Sequence, residues 1–268
     1  MEFFDSHAHY DDEKFDKDRY EIIDRIYHDG VTKFVSAGYD VKSSETALKL
    51  ANKYDFIYTI SGISPNDVKE SIEKTNEEIN QIEKMVSEEL KNCKTSESKR
   101  KLVGIGEIGL DYYWNQDNKE IQKDAFIKQI QLANKYNLPI IIHTREAVMD
   151  TLEILKKYPV EKKGIFHCCP FNRELVKEGL KLGFYISFAG PTTFKNSKNA
   201  NEIIELVPNN RILIETDSPY LAPEPKRGTR NDSRNVKFIA EKIATVKNIS
   251  LEEIAAITYK NALEAFNI

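Results

Sequence analysis

With 268 residues, 40% of them hydrophobic, and no long low-complexity tract, the chain can bury a full core as one large domain or two ordinary ones. A net charge of −4 argues against a broad basic face for non-specific duplex binding, and three cysteines (Cys93, Cys168, Cys169) are too few and too irregular for a disulfide framework or a CxxC zinc site. No apolar run approaches the ~18 residues of a membrane span, and residues 1–5 carry neither a basic n-region nor an apolar h-region, so the expected location is the cytoplasm.

In chain order, short β-branched runs alternate with longer amphipathic ones. The first strand is expected over residues 2–6, and a helix over 16–29 follows with Ile22, Ile23 and Ile26 at helical spacing, closed by Gly30. Strand 32–37 precedes a helix over 43–54 that repeats the pattern through Ala47, Leu48 and Ala51, with Ser43 or Ser44 as N-cap. The third strand, 56–62, runs into Ile63-Ser64-Pro65-Asn66. Residues 67–91 read as a long helix with Val68, Ile72, Ile79, Ile82, Val86 and Leu90 on one face and a solvated face of Glu and Lys. The polar Ser/Lys-rich stretch 94–101 reads as a turn rather than a domain linker, because the alternation resumes at once with strand 102–107. Helix 119–136, strand 139–143, helix 146–158, strand 164–167, helix 173–182, strand 184–188, helix 199–207 and strand 211–215 follow, and helices 232–246 and 251–266 end the chain.

Eight strands, each followed by helical material, point to an α/β chain folded as a single (β/α)8 TIM barrel, residues 1–268 forming one domain. Two doubly wound domains are the structural alternative. Against it, no Pro/Gly-rich linker divides the chain, and the Gly104-x-Gly106-x-x-Gly109 spacing holds Glu107 where a dinucleotide fingerprint offers phosphate-binding backbone.

Active sites of this fold lie at the carboxyl ends of the strands. His7 and His9, spaced i, i+2, present both imidazoles on one strand face; Glu107, His143 and His167 end later strands and Asp217 follows the eighth. Each alone has an ordinary reading: a surface histidine, a carboxylate paired with a lysine, an Asx-turn before Pro219. Their coincidence at strand ends points to metal. Six ligands exceed the three protein ligands plus water of one open catalytic site, so two divalent ions are expected. Glu107 is the natural shared ligand, with His7, His9 and Asp217 completing one site and His143 with His167 the other. Four imidazoles suit Zn, Mn, Fe or Ni. A metal pair ~3.5 to 4 Å apart activates water and stabilises both attacking and leaving oxygens of an in-line displacement at a phosphodiester, with Asp217 as proton acceptor.

Five segments carry these residues: Asp5-Ser6-His7-Ala8-His9, Gly106-Glu107-Ile108-Gly109-Leu110-Asp111-Tyr112, Ile142-His143-Thr144-Arg145, Phe166-His167-Cys168, and Glu215-Thr216-Asp217-Ser218-Pro219-Tyr220-Leu221. Together they resemble the TatD-type metal-dependent deoxyribonucleases of the amidohydrolase-like barrels, over essentially the whole chain. The resemblance implies a barrel, a divalent-metal hydrolase in which Mg or Mn supports nuclease activity, and exonuclease-like action on single-stranded or frayed DNA ends. It also implies His7, His9, Glu107, His143, His167 and Asp217 as ligands. A nucleic acid substrate is thus the expected partner, with no membrane and no obligate protein partner. Where the family usually has Gly-x-His-Pro-His, this chain reads Gly62-Ile63-Ser64-Pro65-Asn66, so Ser64 and Asn66 stand at the substrate-positioning places. The family's Phe-Ser-Gly after His167-Cys168 becomes Cys169-Pro170-Phe171, which reshapes the rim, and Cys168 is expected to point into the core.

Arg145, two residues beyond His143, and Arg227 and Arg230 in the basic loop 226–231 are candidate phosphate contacts, the alternative being a solvated loop paired with Glu224 or Asp232. Tyr112, Tyr113 and Trp114 read first as barrel-top packing and second as stacking surfaces for unpaired bases, and Asp111 as a partner of a ligand histidine. Two other functions fit the residues. A metal-dependent acyl-ester or amide hydrolase, acting for example on an aminoacyl-tRNA ester or a lactone, would dispense with Arg145, Arg227 and Arg230. A non-catalytic, metal-stabilised binding protein would have no need to retain all six ligands.

Overall fold

In a computed structural model that describes residues 1–95 and 100–268, the elements run β1 (Phe3–Ala8), α1 (Arg19–His28), β2 (Val31–Ala37), α2 (Val41–Lys53), β3 (Ile57–Ser61), α3 (Ile72–Thr95), β4 (Leu102–Asp111), α4 (Lys119–Tyr136), β5 (Ile140–Arg145), α5 (Val148–Lys157), β6 (Gly164–Phe166), α6 (Arg173–Lys181), β7 (Tyr185–Phe188), α7 (Ala200–Leu206), β8 (Ile212–Ile214), α8 (Val236–Lys247) and α9 (Leu251–Phe266). Parallel strands alternating with helices, in the sheet order β1 through β8, make the (β/α)8 architecture expected from the sequence. No helix of the described residues is long and apolar enough to cross a membrane.

The chain divides into two compact units, residues 1–35 with 166–268 and residues 36–165. In the first, β7 pairs in parallel with β8, and β1 meets the segment after β8 through a parallel bridge, Ala8 to Ser218. All six residues of β1 and all three of β8 are buried, as strands covered on both faces must be. Phe4 packs between Tyr259 and Phe266 of α9, with ring centroids 5.8 and 6.0 Å away.

In the second unit, β3, β4 and β5 pair in parallel, and all ten residues of β4 are buried. The β4 to β5 register slips between Ile105 and Ile108, where three steps on β4 match two on β5. That irregularity corrects the expected end of the strand at Glu107. β4 continues to Asp111, and Glu107 sits in the bulge, its N–H donating to Gly38 O at 2.9 Å instead of to a regular ladder. Helix α4 buries Gln122, Ala125, Phe126, Gln129, Ile130 and Ala133 along one face. The two glutamines clamp backbone: Gln122 exchanges hydrogen bonds with Asp111 N and O (2.8 and 3.0 Å), and Gln129 with Ile63 N and O (2.7 and 2.9 Å). The loops after β3 and β4 are thereby tied to one rigid helix.

Two other boundaries differ from expectation for identifiable reasons. The N-cap of α2 is Asp40, not Ser43 or Ser44; Asp40 accepts from Ser43 N at 2.7 Å while the Ser43 hydroxyl accepts from Asp40 N, a capping box. α3 begins at Ile72 rather than 67, because the preceding backbone bonds elsewhere: Asp67 N to Ser64 O and Lys69 N to Thr75 Oγ1. At its other end α3 takes in positions 94 and 95 of the expected polar turn 94–101, whose residues 96–99 lie outside the described residues.

Candidate functional site

In the first unit, β1 delivers His7 and the residue after it delivers His9. Their Nε2 atoms lie 3.2 Å apart, and Asp217 Oδ1 stands 3.3 Å from His9 Nε2 and 4.0 Å from His7 Nε2. His167, just past β6, stacks its ring on His7 with centroids 4.1 Å apart. Two imidazole Nε2 atoms that face each other can share only one proton. Together with a carboxylate oxygen, all within 4.8 Å of one another, they form a nitrogen/oxygen donor set of the type a divalent transition-metal ion takes. The residues fit the ion that the sequence implies.

Three carboxylates organise this set. Asp5, completely buried in β1, accepts from Thr216 N (2.9 Å), Thr216 Oγ1 (2.5 Å) and His7 N (3.3 Å), tying the strand that carries His7 to the turn that carries Asp217. Burial pushes the Asp5 carboxyl up to about 7, partly offset by hydrogen bonding from Ser233, Thr216 and the His7 backbone. Glu215, also fully buried, accepts from Cys168 N at 2.7 Å, and its Oε1 lies 3.2 Å from His167 Nδ1. It thus orients the His167 ring and holds the left-handed turn at Cys168 (φ 38°). For Asp217, burial alone would raise the carboxyl; the His9 hydrogen bond and the charges of His9, His167 and His7 outweigh it and hold the group below its ordinary value. Cys168 is only half-buried, and the buried thiol is its neighbour Cys169.

In the second unit, the β4 bulge aims Glu107 at β5. Glu107 Oε1 lies 2.9 Å from His143 Nδ1, and Asp111 Oδ2 lies 2.8 Å from His143 Nε2. Both ring nitrogens are thus held by carboxylates, and Asp111 Oδ2 also receives Asn66 Nδ2 at 3.4 Å. Burial works against the Asp111 charge, but the hydrogen bond and charge of His143 prevail and keep the carboxyl below its usual range. Ser64 does not face open space; its hydroxyl donates to Asp67 Oδ2 at 2.5 Å.

Burial, aided by the charges of Asp40 and Glu107, raises Asp67 from 3.8 to about 6 against the Ser64 hydrogen bond. Because the folded carboxyl holds its proton more tightly than the unfolded one, protonation stabilises the fold. The contribution is complete below about pH 4 and is lost as pH rises through about 6. Urea unfolding of the metal-free protein at several pH values should show a steeper decline over that window in the wild type than in Asp67→Asn; identical slopes would contradict the shift.

The expected phosphate contacts fare unequally. Arg230 donates to both oxygens of Asp18 (2.8 and 2.6 Å) and to Lys14 O, and lies over Phe15, so its partner is neither Glu224 nor Asp232. Arg227 lies 4.0 Å over the Phe194 ring and Arg145 3.7 Å over the Tyr113 ring. Sequence reasoning gave no role to Asp5, Glu215 or Gln122. For Glu215 a signal existed: a carboxylate directly after the apolar run Ile212-Leu213-Ile214, where a buried polar group needs hydrogen-bond partners.

A family model described as "TatD related DNase" matches residues 4–267. The uncharacterized metal-dependent hydrolase YabD of Bacillus subtilis is 43% identical over 266 residues, 99% of each chain. The uncharacterized metal-dependent hydrolase MJ1582 of Methanocaldococcus jannaschii is 33% identical, covering 99% of this chain and 97% of its own. In fold, the chain is like the crystal structure of YjjV, a TatD homolog from Escherichia coli, with a TM-score of 0.89 and 24% identity over 99% of this chain and 98% of that one.

Proposed function

We propose, on the premise that the chain belongs to the TatD related DNase family, that this metal-dependent hydrolase cleaves phosphodiester bonds at single-stranded or frayed DNA ends. The observation that carries the reading is the convergence of His7 Nε2, His9 Nε2 and Asp217 Oδ1 on one point. His7, His9 and Asp217 would hold one ion, and His143, His167 and Glu107 are the remaining candidate ligands of the proposal. Divalent ions held there would polarise the phosphoryl oxygens and acidify a water molecule.

The chain's own residues supply the rest. Asp217, ionised and beside His9, accepts the proton of the attacking water. Asp111 fixes the His143 ring through Nε2 and leaves Nδ1 turned to Glu107. Glu215 does the same for His167 through Nδ1. Asp5 locks the Asp217 turn to β1, so that proton acceptor and histidine pair keep their spacing without reorganisation.

Chelated and reloaded protein, assayed on bis-p-nitrophenyl phosphate beside a carboxyl ester, tests the reading. Phosphodiester turnover that vanishes on chelation and returns with Mn, Mg or Zn is expected. The pairing of Arg230 with Asp18 favours one other reading, in which the same residues hydrolyse a neutral acyl ester and need fewer free cations. Turnover of the ester alone would put that reading first.

A further inference from the structure

Tyr112, Tyr113 and Trp114 leave β4 in succession and are treated very differently by the fold. Tyr112 is packing: it is 7% exposed, its hydroxyl donates to Asp150 at 2.7 Å and Lys119 covers its ring. Tyr113 and Trp114 are 48% and 68% exposed, an unusual display for two adjacent aromatic rings. They meet edge to face with centroids 4.9 Å apart, and the Arg145 guanidinium lies 3.7 Å over Tyr113 and 5.4 Å from the Trp114 centroid. Among the described residues Arg145 has no carboxylate partner, so its N–H groups stay available to an anion.

Their position is not that of a loose loop. Tyr113 N and Trp114 N both donate to Asp111 Oδ1, at 2.9 and 3.2 Å, while the other oxygen of that carboxylate holds His143. Arg145 is the register partner of Asp111 on β5, and Tyr112 N donates to Arg145 O at 2.9 Å. One buried carboxylate therefore sets the aromatic pair, and one strand register sets the arginine, relative to His143.

We propose that Tyr113, Trp114 and Arg145 form a seat for one unpaired nucleobase and its phosphate, the base lying on the exposed indole and the phosphate on the guanidinium. This deepens the phosphodiesterase reading and rests on it for the identity of the substrate. Every base has a π-face, so the seat is indifferent to sequence, but bases inside a duplex have both faces covered. The seat thus selects single strands and frayed ends. A neutral ester without a planar ring has no use for it.

Trp114 is the only tryptophan of the chain, so its fluorescence reports on the seat alone. Metal-loaded protein is titrated with a short, cleavage-resistant phosphorothioate oligothymidylate, with an abasic strand of equal length and charge, and with a blunt duplex. Saturable quenching by the oligothymidylate, little by the abasic strand or duplex, and binding weakened roughly fivefold to a hundredfold in Trp114→Ala, measured by polarisation of a labelled strand, are expected. Trp114→Phe should recover most of that loss, which a merely structural role would not predict. Equal affinity for thymidylate and abasic strands with unchanged fluorescence overturns the seat even if phosphodiesters are hydrolysed. Quenching by the oligothymidylate in a protein that turns over no phosphodiester upholds the seat and rejects the hydrolytic reading.

Discussion

Asp217→Asn is expected to lower kcat on a phosphodiester by about 10²- to 10⁴-fold, the span of a lost general base, while the protein still folds. The substitution suits the site sterically. Asp217 has φ 55°, a left-handed conformation that asparagine adopts as readily as aspartate. Its main-chain bonds, N–H to His7 O and carbonyl from Tyr220 N, both 2.9 Å, do not involve the side chain. What changes is chemical: an amide beside His9 Nε2 neither takes a proton nor carries the charge that His7, His9 and His167 stabilise. Steady-state kinetics of the metal-loaded variant, with thermal unfolding of the metal-free form as the folding control, measure both halves. A near-normal kcat would reject Asp217 as proton acceptor.

The largest expected loss of stability follows a much smaller change, Gly109→Ala. Gly109 pairs with His143 in the β4 to β5 register and has φ 137°, in territory side chains avoid. An added Cβ would lie 2.0 Å from His143 O and 3.0 Å from its carbonyl carbon, both backbone atoms with nowhere to go. Overpacking together with the disfavoured backbone should cost about 2 to 5 kcal/mol, and any relief must come from moving the strand that carries His143. Urea midpoints measure the cost. Gly228→Ala is the internal control, since φ there is 84° but nothing lies within 4 Å of the new Cβ. It should cost only the backbone share, about 1 to 2 kcal/mol. Equal losses for the two variants would rule out the close approach at Gly109.

Much of this protein was determined by the sequence alone, and for local reasons. Hydrophobic period and chain order specified eight strands and their helices, because a strand or an amphipathic helix writes its buried face into neighbouring residues. Donor chemistry made His7, His9, Glu107, His143, His167 and Asp217 the candidate ligands, because few side chains bind cations and these stand in or beside apolar runs. The misreadings have physical causes too. β4 was expected to stop at Glu107, whereas burial on both faces carries the strand through a bulge to Asp111. The sequence offered Asp111 as a partner of a histidine, but only the tertiary structure decided which histidine, and that Glu215 holds another. Asp111 reaches His143 across 32 positions and Glu215 reaches His167 across 48. It also decided that Tyr112 is packed while Tyr113 and Trp114 stand exposed, and that Arg230 belongs to Asp18. Such pairings depend on strand register and loop path, which are properties of the assembled sheet and have no local signature in the chain.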